Sequence, residues 1–185
     1  MVPVKNKKYP RRTGPYVHLA SYDPNFILDK RSLLHLRDGT GREDFKIDGQ
    51  VYSVKMNSAR YHTFAISLVC VCCGLKGVVM MLDRGRTTKR TKRRKAKPYK
   101  PESDQVHFNL YGELQGNLIL MTKDHIIPRS QGGLNCAKNY QTMCTLCNHA
   151  KKDKNVTLEE LRAEDSVAGR IAFLRRDGNG EDRQD

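Results

Sequence analysis

The chain is 185 residues long, enough for one domain or for a small core with appendages. Its 34 Lys and Arg against 20 Asp and Glu give a formal charge of +14, which favours polyphosphate or an acidic membrane surface over a cationic partner. The longest nearly apolar run, Phe64 to Cys73, is far short of the roughly 20 residues of a spanning helix, so no membrane segment is expected.

In chain order, residues 1–16 read as a flexible basic arm, with Pro10, Gly14 and Pro15 interrupting regular structure. The stretch beginning Met1-Val-Pro-Val-Lys has no apolar run of the export-signal kind. Phe26 to Leu36 is a candidate short helix, and Asp38-Gly39-Thr40-Gly41 a turn. Phe45-Lys46-Ile47 and Val51-Tyr52-Ser53-Val54 flank Asp48-Gly49, the pattern of a hairpin. Asn57 to Ser67 reads as a helix leading to a cysteine cluster, and Gly77 to Leu82 as a strand.

Arg84 to Lys100 holds ten basic residues and no acidic one, with almost nothing apolar to bury. It is expected to be a mobile loop unless a polyanion orders it, and the chain outside this loop and the arm is close to neutral. Val106 to Tyr111 alternates in character, and Asn117 to Met121 is a short apolar strand. Thr157-Leu158-Glu159-Glu160 has the spacing of a capping box, with Leu161, Ile171 and Leu174 as the buried side of the segment after it. Residues 176–185 read as a frayed tail, which leaves 17–175 as a single domain without internal repeats.

Six cysteines without an export signal point to a reducing, cytoplasmic setting, where thiols serve as metal ligands more often than as disulfides. Cys70 and Cys73 are separated by two residues, and Cys144 and Cys147 repeat that gap. Two such pairs far apart in sequence suit one tetrahedral zinc ion, with four protein ligands and no open position for water. Gly74 permits the positive backbone dihedral such a knuckle often requires. Cys72 could replace Cys70 only as the immediate neighbour of Cys73, which is poor geometry, so Cys72 and Cys136 are left as structural thiols.

From Asp124-His125-Ile126-Ile127-Pro128 the chain runs through Gly132-Gly133 and Asn139 to Cys144, Cys147, Asn148 and Lys152. This order closely resembles the HNH endonuclease family (His-Me finger, or ββα-metal, nucleases), in particular its zinc-bearing type common in bacteriophages. The resemblance is tight over Asp124 to Lys152, and looser over Cys70–Gly74 and His107–Gly112. It implies an α+β fold, a ββα-metal core with a four-cysteine zinc site, plus an N-terminal hairpin and helix region and a C-terminal helix. Asn117–His125 would be the first strand, Asn139–Met143 the second, and the helix would start near Cys147.

The resemblance further implies a metal-dependent DNA endonuclease working with one metal ion and leaving 5′-phosphate and 3′-hydroxyl ends. His125 would be the general base, since imidazole titrates near neutrality. Asn139 would orient its ring. Asp124 and Asn148 would bind one hard divalent cation, Mg²⁺ or Mn²⁺. Asn148 stands where the family name has His; His149, one step along the helix, points roughly 100° away. Arg129, Lys151 and Lys152 are candidate phosphate contacts, and Arg90, Arg93 and Arg94 candidate DNA-backbone contacts in the basic loop. His107 reads as a strand residue rather than a ligand, and Asn135 as a turn residue. The alternative is a zinc module that binds nucleic acid without cutting it, or a phage packaging or assembly accessory.

Overall fold

The computed structural model describes residues 16–33, 41–85 and 106–178. Over them the order is β1 (Tyr16–Tyr22), α1 (Pro24–Leu33), β2 (Arg42–Ile47), β3 (Gln50–Lys55), α2 (Ala59–Ile66), β4 (Gly77–Gly85), β5 (Val106–Leu114), β6 (Asn117–His125), β7 (Tyr140–Cys144), α3 (Thr145–Lys151), α4 (Leu158–Ala163) and α5 (Asp165–Gly178). This is the expected α+β class. The strands bond in the order β1-β4-β5-β6-β7, with β2-β3 as a separate pair. Most of the basic arm, the basic loop with Arg90, Arg93 and Arg94, and the turn before Gly41 lie outside the described residues. Residues 176–178 close α5, and the rest of the tail also lies outside. No helix among the described residues is long and apolar enough to cross a membrane.

The described residues divide into two compact units, one within 1–57 and 79–109 and the other within 58–78 and 110–185. In the first, α1 begins two residues earlier than the apolar pattern suggests. Asp23 caps it, its Oδ1 accepting from the backbone N–H of Asn25 at 2.8 Å, and Pro24 takes the first helical position, where a missing N–H costs nothing. The β2–β3 hairpin turns on Asp48 and Gly49 at φ 48° and 82°, a two-residue turn whose twist matches the strands. Tyr22, Phe45 and Phe108 pack edge to face, with the Phe45–Phe108 ring centres 4.9 Å apart. The buried Asp83 carboxylate accepts from Asn109 Nδ2 at 2.8 Å and faces His18 Nδ1 at 3.4 Å, so His18 belongs to a structural polar cluster. His107 stacks edge-on against Tyr16, as a strand residue should.

In the second unit, Gln115 and Gly116 at φ 51° and 71° join β5 to β6 in a turn of the same kind as Asp48-Gly49. Gln in place of Asn or Asp hides this turn from a sequence reading. The middle strand β5 does not keep its alternation: residues 108–112 are all buried. Gly112 is required there, because a Cβ would stand 2.7 Å from the Lys76 carbonyl oxygen. The capping box at Thr157 forms as expected, its side chain accepting from Glu160 N–H while Glu160 reaches back. In place of a single C-terminal helix there are two. Glu164 takes an extended conformation, ending α4 before Asp165 starts α5. Leu161 and Val167 are buried, whereas Ile171 and Leu174 are half-buried and line a groove with Cys72, Cys73 and Arg162.

Candidate active site and metal centre

The two cysteine pairs meet in the second unit. The sulfurs of Cys70, Cys73, Cys144 and Cys147 all lie within 4.8 Å of one another, and each residue is buried. Cys73 and Cys144 Sγ are 3.8 Å apart, which matches the roughly 3.8 Å edge of a tetrahedron with metal–sulfur bonds of about 2.3 Å. Each pair is shaped by its backbone. Gly74 adopts φ 81° and its N–H donates to the Cys70 carbonyl, while Cys144 caps α3 and its sulfur accepts from Cys147 N–H at 3.4 Å. Val71 N–H donates to the Thr142 carbonyl at 3.0 Å, tying the first knuckle to β7 beside the second. Hydrogen bonds from Cys144, Cys147 and Cys73 hold the Cys70 thiol far below its ordinary range. Bonds from Cys144 and Cys147 bring Cys73 down to about 7. Four thiols sharing protons in this way are suited to exchange them for a cation, and the set could hold a metal ion. The expectation for Cys72 stands, with its buried thiol pushed up chiefly by desolvation; Cys136 instead is exposed.

Strand β6, strand β7 and helix α3 form the expected ββα unit. Alternate residues of a strand share a face, and helix residues three apart share a side. Thr122 and Asp124 on β6 therefore meet Asn148 and Lys151 on α3. Asn148 Nδ2 donates to Thr122 Oγ1 at 3.0 Å, and Lys151 Nζ donates to Asp124 Oδ2 at 2.8 Å and to the His125 carbonyl. Gln141, paired with Asp124 across the strands, adds a further donor to that carboxylate at 2.9 Å. His149 is exposed, one helical step away from this face, whereas Asn148 is half-buried and turned into it.

The His125 ring occupies the other side of the strand end. Its register partner is Tyr140, whose ring it meets edge-on at 5.0 Å, and its Nε2 bonds Asn135 Oδ1 at 2.8 Å. The Tyr140 hydroxyl approaches the same oxygen at 3.5 Å, and Lys123 Nζ lies 3.4 Å above the Tyr140 ring. Both groups converge on the Asn135 side-chain amide, which fixes the orientation of the His125 ring. The carboxylate and the ring thus lie on opposite faces by register, adjacent where the strand ends. No contact joins them directly; the Lys151 ammonium, touching Asp124 and the His125 backbone, links the two.

Asn139 does not contact the ring. Its Oδ1 accepts from Ile127 N–H at 2.9 Å, and its Nδ2 donates to the carbonyls of Ile127 and Leu134 at 3.1 and 2.9 Å. Its own carbonyl accepts from Ile126 N–H. Asn139 staples the two ends of the Ile126–Leu134 loop, and through that loop it fixes Asn135. The orienting contact expected of Asn139 is made instead by Asn135, which the sequence marks only as a turn residue. Its proximity to the Gly-Gly turn is legible from spacing, but its reach back to His125 depends on how the loop folds.

Lys151 also departs from expectation. Only 3 % exposed, it lies inside the unit rather than at the surface where a phosphate would meet it. Arg129 and Lys152 are exposed and remain available to a backbone. Gln141, Asn135, Tyr140 and Lys123 join the site although no motif marks them. Gln141, Tyr140 and Lys123 flank or face motif residues across β6 and β7, a signal available only once the register is known, and Asn135 is brought in by the loop between the strands.

The Gly-Gly turn is required by two different constraints. Gly132 adopts φ 84° with open space around it. Gly133 has no room for a side chain: a Cβ would stand 1.8 Å from the Ile127 carbonyl oxygen and 2.9 Å from Asn139 Nδ2. Gly133→Ala is therefore expected to break the Asn139 staple, costing about 1–3 kcal/mol and most of any activity the loop supports. Gly132→Ala should cost about 1 kcal/mol, from backbone strain alone. Melting of the two variants side by side checks this; equal losses would contradict it.

The ββα unit carries a carboxylate and a carboxamide on one side and an imidazole at the strand end, with a tetracysteine cluster beside it, which is the arrangement the resemblance implied. Residues 116–159 match the HNH endonuclease family, so the resemblance carried by Asp124 to Lys152 is borne out over that segment. The looser extension to Cys70–Gly74 and His107–Gly112 lies outside the match, although the thiol cluster joins Cys70 and Cys73 to the matched segment in space. No curated protein and no solved structure matches the chain. The family match supports a nuclease-type function on a nucleic-acid substrate.

Proposed function

We propose that this protein is a DNA endonuclease that hydrolyses phosphodiesters with one hard divalent cation, Mg²⁺ or Mn²⁺, and a structural zinc ion on the four cysteines. The observation that carries the reading is the arrangement at the end of β6. A carboxylate and a carboxamide oxygen are presented on one side, and a histidine held by Asn135 on the other.

The donor chemistry fits a hard cation. Asn148 spends its amide nitrogen on Thr122, which leaves its oxygen free to face a ligand, and Asp124 already accepts a cationic neighbour in Lys151. When bound, such an ion would neutralise charge on the scissile phosphate and on the leaving 3′ oxygen. Asp124 and Asn148 would hold it. Lys151 and Gln141, both donating to Oδ2, keep the Asp124 carboxylate in one orientation. His125 is half-exposed, so its ring can reach a substrate at the surface. With Nε2 engaged by Asn135, Nδ1 is the ring nitrogen left to face a water. It takes the proton of a water that adds to phosphorus, the P–O3′ bond breaks, the leaving 3′ oxygen takes up a proton from solvent water, and the products carry a 5′-phosphate and a 3′-hydroxyl. Arg129 and Lys152 are placed to contact backbone phosphates beside the site.

Incubation with supercoiled plasmid tests the whole reading. Nicked or linear product is expected with Mg²⁺ or Mn²⁺, none with EDTA, and recovery when excess Mg²⁺ is returned together with one equivalent of Zn²⁺. Tight binding with no cleavage under any of these cations would favour a non-cleaving zinc module instead.

A further inference from the structure

A tetrathiolate holding a dication carries a net charge of about −2, and burying such a charge without compensation is costly. The C-terminal helices bring two arginines to it. From α4, Arg162 donates through Nε to the Cys72 carbonyl at 2.9 Å and through Nη2 to the Val71 carbonyl at 2.7 Å, gripping the backbone of the first knuckle. From α5, Arg170 donates through Nη2 to Cys147 Sγ at 3.7 Å. Among the described residues, Arg170 is the one cation with a hydrogen bond to a cluster sulfur. Its Nε is buried with no hydrogen-bond partner among the described residues, so the guanidinium is held at the sulfur at a cost in lost hydrogen bonding. Burial works against the guanidinium charge, and the Cys147 sulfur, followed by Cys144 and Cys73, favours it.

We propose that Arg170 is the outer charge partner of the metal centre: its guanidinium, delivered by α5 to the Cys147 thiolate, keeps the metal loaded and couples docking of the C-terminal helices to metal binding. The proposal rests on the tetracysteine site being a metal centre. A hydrogen bond from a cation draws electron density off the coordinating sulfur and lowers the charge the site must bury, so the loaded state gains most. Arg162 fixes the same helices to the knuckle backbone and sets the reach of Arg170. Arg serves here better than Lys because its planar fork can address the sulfur while the stem packs.

The test uses the full chain loaded with Zn²⁺, and separately with Co²⁺ as a coloured substitute. Transfer of Zn²⁺ to a chromogenic chelator is expected to show roughly 10- to 100-fold weaker retention in Arg170→Met, with Arg170→Lys between that variant and the parent. The sulfur-to-cobalt charge-transfer band of Arg170→Met should move to lower energy, because the thiolate becomes the better donor. Protease digestion should open the segment after Ala163 earlier in the variant than in the parent. If Arg170→Met fails to accumulate, Arg170→Gln, neutral and polar, serves in its place. Retention and band position equal to the parent's would overturn the role of Arg170 while leaving the metal centre standing. Absence of a tetrathiolate cobalt spectrum in the parent itself would overturn both.

Discussion

Replacing His125 by Ala is expected to lower metal-dependent plasmid cleavage by roughly 10²- to 10⁴-fold, the range over which a positioned general base contributes, while leaving the fold and the cysteine-bound metal unchanged. The side chain is half-exposed and lies outside the packed core, and the contacts it loses are one hydrogen bond to Asn135 and one ring edge against Tyr140. Together these amount to about 1–2 kcal/mol of stability. Asn135→Ala should give a smaller fall in rate, because the ring remains but its orientation is no longer held. Asn139→Ala should damage both rate and stability, since three backbone groups at Ile127 and Leu134 lose their partner. Cleavage rates and melting temperatures for the three variants separate these roles. A His125→Ala protein that cuts at the parental rate would remove the base assignment.

Loss of the cysteine-bound metal is expected to unfold the second unit outright. Structural zinc contributes on the order of 10 kcal/mol in small tetrahedral sites, comparable with the whole stability of a typical domain. The cluster joins the knuckle after α2 to the start of α3, segments far apart along the chain, and α4 and α5 lean on it through Arg162 and Arg170. Cys144→Ala should be the most damaging single change. Cys144 belongs to the thiol cluster and also caps α3, so alanine loses both roles, whereas serine would keep the cap while losing the thiolate. The measurements are metal content by mass spectrometry, and far-ultraviolet circular dichroism before and after a strong chelator, with one equivalent of Zn²⁺ returned at the end. A helical signal that survives complete removal of metal would show that the cluster is dispensable for folding.

Much of the local structure is legible in the sequence because it is enforced locally. Asp48-Gly49 specifies a two-residue hairpin through its left-handed dihedrals, Thr157 and Glu160 specify a helix start through reciprocal bonds, and the two Cys-x-x-Cys pairs specify knuckles. Where a local signal is weak, the pattern misleads. Gln115-Gly116 makes the same turn as Asp48-Gly49 without its usual residues, Glu164 splits the C-terminal helix with no Gly or Pro to announce it, and β5 loses its alternation in the middle of the sheet.

The sequence by itself determined the pairing of cysteines into one cluster and the family likeness of the segment from Asp124 to Lys152, because both depend on spacing along the chain, and that likeness implied the α+β class. Only the tertiary structure decided which residue touches which. Lys151 looks like any basic residue next to another, yet the helix turn that aligns it with Asn148 drives it inward onto Asp124. Asn139 and Asn135 are both asparagines in one short loop, and the closure of that loop over Gly133 makes one a staple and the other the partner of His125. Spacing constrains neighbours on a single element; contacts between elements follow from register and loop closure, which no local pattern encodes.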